Sequence, residues 1–237
     1  MTTSGTSTFD LQITDLFEEA YERAGAEMRS GYDFRTARRS FNLLTSEWAN
    51  RGINLWTVES GSIPLVAGTA TYNLPVDTID LIEHVIRQNP GNASTQTDIN
   101  ISRISISTYS TIPNKLNRGR PIQVYVNRQS GATTPTGVQY PTITVWPVPG
   151  DGSYTFVYWR LRRIQDAGNG EGTADIPFRF LPALTAGLAY YIAMKRPEAA
   201  PLVPMLQAEY ERQWQLASEE DREKAPIRMV PRHTFYR

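Results

Sequence analysis

Apolar residues recur at intervals of three and four near both ends of the chain and at intervals of two through its middle. Ile13, Leu16, Phe17, Ala20, Tyr21 and Ala24 fall on one face of a helix expected over about 10–26. Glu18, Glu19, Glu22 and Arg23 fall on the other face. Gly25 and Gly31 bound the end of this helix, and Asp33 is placed to cap the next. Ala37, Phe41, Leu44 and Trp48 then form a heptad-like stripe, which predicts a second helix over about 34–51. Gly52 is its expected stop, because glycine enters the left-handed region without steric cost. The short link predicts an antiparallel helical hairpin.

From Leu55 the period changes. Leu55–Ser60, Ile63–Val66, Thr69–Leu74 and Ile79–Arg87 read as strands, and Asn89–Thr97 reads as a loop. Ser105–Thr111 reads as a short helical turn ended by Pro113. Ile122, Val124 and Val126 alternate with Gln123, Tyr125 and Asn127, the pattern of a half-buried strand. Thr142–Trp146 alternates in the same way, Pro147–Gly152 carries turn chemistry, and Tyr154–Arg162 returns as a long strand. A hairpin over 142–163 is therefore expected. Gln165–Thr173 is a glycine-rich linker back to helical patterning.

Leu181, Leu184, Leu188, Tyr191 and Ile192 mark a third helix over about 177–195, with Asp175 as a cap and Pro177 and Pro182 at or before its first turn. Val203, Leu206, Tyr210, Trp214 and Ala217 mark a fourth over about 199–223. The fold expected is α+β: an antiparallel four-helix bundle with an inserted antiparallel β-sandwich or barrel-like domain and an extended C-terminal arm. The divisions expected are a flexible N-terminal arm over 1–9, a helical domain from 10–53 and 174–223, a β domain over 54–173, and the arm over 224–237.

The arm has four basic residues, Lys224, Arg228, Arg232 and Arg237, and no acid. It also holds Ile227, Met229, Val230, Phe235 and Tyr236. A purely solvating tail rarely carries so many apolar side chains, so the arm is read as docking on another surface. Arg35, Arg38 and Arg39, with Arg51, mark a basic edge of the second helix suited to contact between subunits, set against an ordinary solvated face.

Composition narrows the chemistry. Lys+Arg and Asp+Glu are 24 each, so there is no overall basic excess to hold nucleic acid. The absence of cysteine excludes disulfides, thiol catalysis and cysteine-bound metal. His84 and His233 lie on separate segments, which disfavours a zinc site. No Walker loop, dinucleotide fingerprint or nucleophile elbow is present, and Gly168–Gly172 lacks the lysine of a phosphate cradle. The Glu18/Glu22 and Glu219/Glu223 pairs read as solvated helix faces and not as a split-pKa catalytic pair. The apolar run Phe180–Met194 is shorter than the roughly 20 residues that span a bilayer. Met1–Thr8 is small and polar, without the order of a signal peptide. No catalytic residue, metal ligand set, cofactor or membrane contact is expected, and the chain is read as not an enzyme. Tyr125, Tyr140, Trp146, Tyr154, Tyr158 and Trp159 crowd the β region, where they serve either as core or as a stacking platform for sugars or bases.

Several segments together resemble one family. Phe41-Asn-Leu-Leu-Thr-Ser-Glu-Trp-Ala-Asn-Arg-Gly-Ile-Asn-Leu-Trp56 resembles the second-helix-to-strand passage of phage portal-adaptor proteins, also called head-completion, head-to-tail connector or tail tubular A-type proteins. Ile79–Val85, Thr108–Lys115, Gly119-Arg-Pro121 and Thr144–Tyr154 match later passages in the same order. The resemblance covers about 10–223. It implies a structural virion protein at the head–tail interface, assembled in the bacterial host cytoplasm. It implies a dodecameric ring beneath the portal protein, with double-stranded DNA passing through its channel without sequence-specific binding. The helices would form the ring and the β domain would meet a downstream tail or nozzle protein. The arm residues Ile227, Arg228, Met229, Val230, Arg232, Phe235, Tyr236 and Arg237 would reach the portal or a neighbouring copy. The other reading is a glycan- or receptor-binding β module of a tail component.

Overall fold

The computed structural model describes Gly5 and residues 11–52, 55–128, 133–134 and 137–221. The chain divides into two compact units, Met1–Leu55 with Asp166–Arg237, and Trp56–Gln165. Among the described residues there are five α-helices: α1 (Ile13–Arg23), α2 (Gly31–Arg51), α3 (Ile106–Ser110), α4 (Leu181–Ala193) and α5 (Val203–Glu220).

In the first unit α1 buries Ile13, Leu16, Phe17, Ala20 and Tyr21. A capping box opens α2. The Ser30 hydroxyl accepts from the Asp33 N–H, and the Asp33 carboxylate accepts from the Ser30 N–H. Ser30 is therefore the cap, with Asp33 as its reciprocal partner. Gly52 closes α2 at φ 76°. The α2 stripe Ala37, Phe41, Leu44 and Trp48 is fully buried. On α5, Leu206, Tyr210, Trp214 and Ala217 are buried.

The expected antiparallel four-helix bundle with an inserted sandwich or barrel is not what forms. The structure is an α+β arrangement of five helices and several sheets. One reason is α4, in which Ala183 through Ala189 are buried without interruption. A helix apolar around its circumference is sunk among its neighbours and does not take one corner of a bundle of amphipathic helices. α1, α2 and α5 all pack on α4. α1 and α2 meet through Phe17, whose ring lies 5.4 Å from that of Phe34 and 6.0 Å from that of Phe41. The fifth helix, α3, lies in the other unit, where the Ser105 hydroxyl accepts from the Thr108 N–H.

Gly187 sets how closely the other helices approach α4. A Cβ there would stand 2.8 Å from Tyr210 Cε2 and 3.0 Å from Leu44 Cδ2. Gly187→Ala is expected to destabilise the protein by about 1–3 kcal/mol through overpacking, although alanine is the better helix former. Urea unfolding reads this directly, and a midpoint at or above that of the parent chain would contradict it.

The second unit contains β1 (Val58–Pro64), β2 (Thr71–Asn73), β3 (Thr78–Gln88), β4 (Thr97–Asn100), β5 (Ser102–Ile104), β6 (Arg118–Gly119), β7 (Gln123–Asn127), β8 (Thr133–Thr134), β9 (Gly137–Val138), β10 (Thr142–Trp146), β11 (Val148–Pro149) and β12 (Tyr154–Arg162). One four-stranded sheet has the order β1-β12-β3-β4, with every pair antiparallel. A second has the order β2-β10-β7-β5, with β5 parallel to β7. Both are open sheets with edge strands, not a closed barrel. They share one core that includes Leu81, Ile86, Phe156 and Tyr158 from the first and Val124, Val126, Ile143 and Val145 from the second.

The expected hairpin over 142–163 does not exist. β10 pairs with β2 and β7, whereas β12 pairs with β1 and β3. Between them β11 pairs in parallel with β6, and the Val148 N–H donates to the Asn117 carbonyl at 2.9 Å. This anchors the proline-rich segment on another partner and carries the chain from one sheet to the other. β1 and β2, consecutive along the chain, likewise lie in different sheets.

Candidate functional site

The four arginines expected to form a basic edge of α2 have different surroundings. Arg51 is clamped inside the helical unit. Its Nη2 and Nη1 donate to the two Glu211 carboxylate oxygens at 2.8 and 3.1 Å, and its Nε donates to Glu47 at 2.8 Å. The guanidinium lies 4.9 Å from the Trp214 ring and 5.2 Å from the Tyr210 ring. The Glu211 carboxylate raises its pKa against the effect of burial, and Glu47 adds to this. Glu47 is a hub that ties α2 to α4 and α5. It also accepts from the Tyr191 hydroxyl at 2.7 Å and from the Tyr210 hydroxyl at 3.2 Å. Burial, and then Glu47, push the Tyr191 pKa up to about 12. The Trp48 Nε1 donates to the Tyr210 hydroxyl at 2.9 Å.

Arg38, half-buried, donates to the Gly168 carbonyl at 3.0 Å, and the Asn42 side chain accepts from the Ala167 N–H at 3.1 Å. These bonds dock the start of the glycine-rich segment on α2. Arg35 and Arg39 are exposed, and Arg39 donates to Thr36 Oγ1 at 3.3 Å. Ile227, Arg228, Met229, Val230, Arg232, Phe235, Tyr236 and Arg237 lie outside the described residues, as do Glu223 and His233. At the end of α5, buried Asp221 pairs with Arg179, which precedes α4.

The aromatic residues of the β unit are divided between the two sheets. Tyr154 and Tyr158 are buried. The Trp146 Nε1 donates to the Asn114 carbonyl at 3.0 Å, and Tyr125 stacks on Tyr109 with ring centroids 5.8 Å apart. Trp159 and Tyr140 are exposed. Core packing and internal bonds thus account for most of the set. Among the described residues no group of three His, Asp or Glu side chains is placed to hold a metal ion, and no helix is long and apolar enough to cross a membrane.

His84 stacks on Phe156 with ring centroids 5.8 Å apart. Both of its ring nitrogens are buried without a hydrogen-bond partner. Burial, then the Arg103 charge, lowers its pKa below the ordinary 6.5, while Glu83 and the Ile101 backbone oppose this. The neutral ring is therefore the folded form, and the unfolded chain takes up a proton at higher pH. Stability is unaffected above pH 6.5 and falls as pH drops from 6.5 toward the depressed folded value. Thermal unfolding of the parent and His84→Gln across pH 7 to about 5 should show a steeper acid-side loss in the parent. Parallel curves would remove this role from His84.

Two surface grooves flank the helical unit, at opposite ends of α4. One, of about 600 Å³, is lined by Leu11, Asp15 and Glu19 on the α1 side and by Phe178, Leu181 and Pro182 at the start of α4. The other, of about 640 Å³, is lined by Tyr32, Arg39 and Leu43 of α2 and by Lys195 and Arg196 after α4. Phe178 is 60 % exposed and Tyr32 64 %. Periodicity missed both grooves because their exposed apolar residues Leu11, Phe178, Tyr32 and Leu43 lie off the core stripes. That displacement was the available signal: Leu43 sits between the buried Phe41 and Leu44 yet faces out.

The family model described as SU10 adaptor protein matches residues 12–230, and the chain belongs to that family of phage head–tail adaptors. No curated protein matches the chain.

Proposed function

We propose that the chain forms a ring below the portal that joins head to tail and lets DNA pass. The observation that carries this reading is the extent of the family match, which spans the helical and the β unit alike. In this reading the helical unit builds the ring, the β unit meets the downstream tail or nozzle protein, and the 224–237 arm reaches the portal or a neighbouring copy. The helical unit suits the part because Glu47 and Arg51 tie α2 to Tyr191 of α4 and to Tyr210 and Glu211 of α5, which holds these helices together. Equal numbers of acidic and basic residues suit a wall past which DNA slides, since a strongly basic wall would hold phosphate through counterion release.

Native mass spectrometry of the full chain, alone and with portal protein, tests the reading. A closed ring in the presence of portal is the expected result. A chain that stays monomeric and leaves portal unbound would overturn it. Removal of 224–237 should weaken portal docking while thermal unfolding stays close to that of the full chain.

A further inference from the structure

We infer that the two grooved flanks of the helical unit are the two sides of a single contact between neighbouring copies, the acidic flank of one chain meeting the basic flank of the next. The inference rests on the ring reading above and names the residues that would close it. Four carboxylates lie on α1, at Asp15, Glu18, Glu19 and Glu22, against one cation, Arg23, which pairs with Glu19 at 2.7 Å. Asp15 and Glu19 line the groove beside exposed Leu11 and Phe178, together with Arg23, whose charge Glu19 already pairs.

The other flank has the opposite character. Arg39, Lys195 and Arg196 line it beside exposed Tyr32 and Leu43. Of its two acids, Asp33 serves the α2 cap and Glu198 is exposed. The Lys195 Nζ donates to the Ser40 hydroxyl at 2.6 Å. Burial, and then the like charge of Arg39, lower the Lys195 pKa, so an arriving carboxylate relieves a repulsion already present.

Each flank thus combines exposed apolar side chains with charge of one prevailing sign, and the signs are opposite. Such a combination fits a partner with the mirrored pattern, and this chain supplies one. The two flanks lie at opposite ends of α4, whose buried middle holds them in fixed relation. A contact between two different surfaces of identical chains is heterologous, and it closes into a ring when the rotation allows.

Charge exchange provides the test. One full-length variant carries Asp15→Lys with Glu19→Lys, and a second carries Arg39→Glu with Lys195→Glu. Each variant alone is expected to lose assembly by about tenfold or more in sedimentation velocity, with portal present if the parent requires it. An equimolar mixture of the two is expected to regain it, as alternating rings. Circular dichroism and thermal unfolding confirm that each variant is folded. Should a reversal variant fail to fold, Asp15→Asn with Glu19→Gln and Arg39→Gln with Lys195→Gln serve in its place and are expected to weaken assembly in a salt-insensitive manner. Rings that persist unchanged in every variant would overturn this contact and leave the ring reading standing. Folded variants that remain separate when mixed would do the same. A parent chain that never assembles would overturn both.

Discussion

Trp48→Ala is expected to remove about 3–5 kcal/mol from the stability of the helical unit. The indole is fully buried and lies 4.8 Å from the Trp214 ring and 5.6 Å from that of Phe180. Truncation opens a cavity between α2, α5 and the start of α4, and it removes the Nε1 donor from the Tyr210 hydroxyl. Tyr210 keeps Glu47 as an acceptor, so the greater share of the loss comes from packing. Trp48→Phe separates the contributions: it refills part of the space and forfeits the bond, for about 1–2 kcal/mol. Urea unfolding followed by far-UV circular dichroism measures both. A Trp48→Ala loss below about 1 kcal/mol would show that the helices close over the gap and that the aromatic cluster does not fix their packing.

In the β unit the largest effect is expected when Glu59→Gln and Asp77→Asn are combined. Arg160 is 8 % exposed and donates to Asp77 Oδ1 at 2.6 Å, Glu59 Oε2 at 2.7 Å and Thr78 Oγ1 at 3.0 Å. Neutralising both carboxylates strands a buried guanidinium, with an expected cost of about 3–5 kcal/mol. Arg160→Met is expected to cost less, about 1–2 kcal/mol, because the Asp77 side chain is 41 % exposed and returns to water while Glu59 keeps Arg162 at 2.7 Å. The asymmetry between the two variants is the informative quantity, and equal losses would argue against it. pH gives a second readout. Burial raises the Asp77 pKa, but the Arg160 hydrogen bond and charge, with the Asp77 backbone and Arg162, hold it below the ordinary 3.8, so this stabilisation is complete above that value and disappears as the pH falls further.

Local pattern located the helices and the longer strands, but not β4, β5 or the two-residue strands, because periodicity is written in neighbouring residues and needs several of them. The stripe of α2 and the alternation of β7 and β10 are buried as their spacing requires, except that Ile122, just ahead of β7, is exposed. Pairing is a different matter. Nothing between Trp146 and Tyr154 tells a hairpin from a change of sheet, since the outcome depends on Asn117 and β6 arriving from far along the chain. The bundle geometry failed for a related reason. The stripe proposed for the third helix overlooked that the residues between its leucines, Thr185, Ala186 and Gly187, are small enough to be covered as well. At the candidate site, Arg51 read as a basic edge because charge is local, while its partner Glu211 is brought to it only by tertiary packing. The grooves were less legible still, since a flank exists only once α4 has been enclosed.

The enclosure of α4 also sets a timetable for synthesis. The ribosome makes α1 and α2 first, then the entire β unit, and only afterwards the helix that completes their core. Throughout that interval α1 and α2 lack the α4 surface on which they pack, and Trp48 lacks Phe180 and Trp214, while the β unit is continuous in sequence and already has all its strands. Domains fold as units during translation, so the nascent chain is expected to carry a protected β unit beside an unfinished helical pair that is open to chaperones. Pulse proteolysis of ribosome-stalled chains ending at Gln165 and at Asp221 should cut α1–α2 rapidly in the shorter chain and slowly in the longer one. Equal protection in both would mean that the first two helices find their cover without waiting for α4.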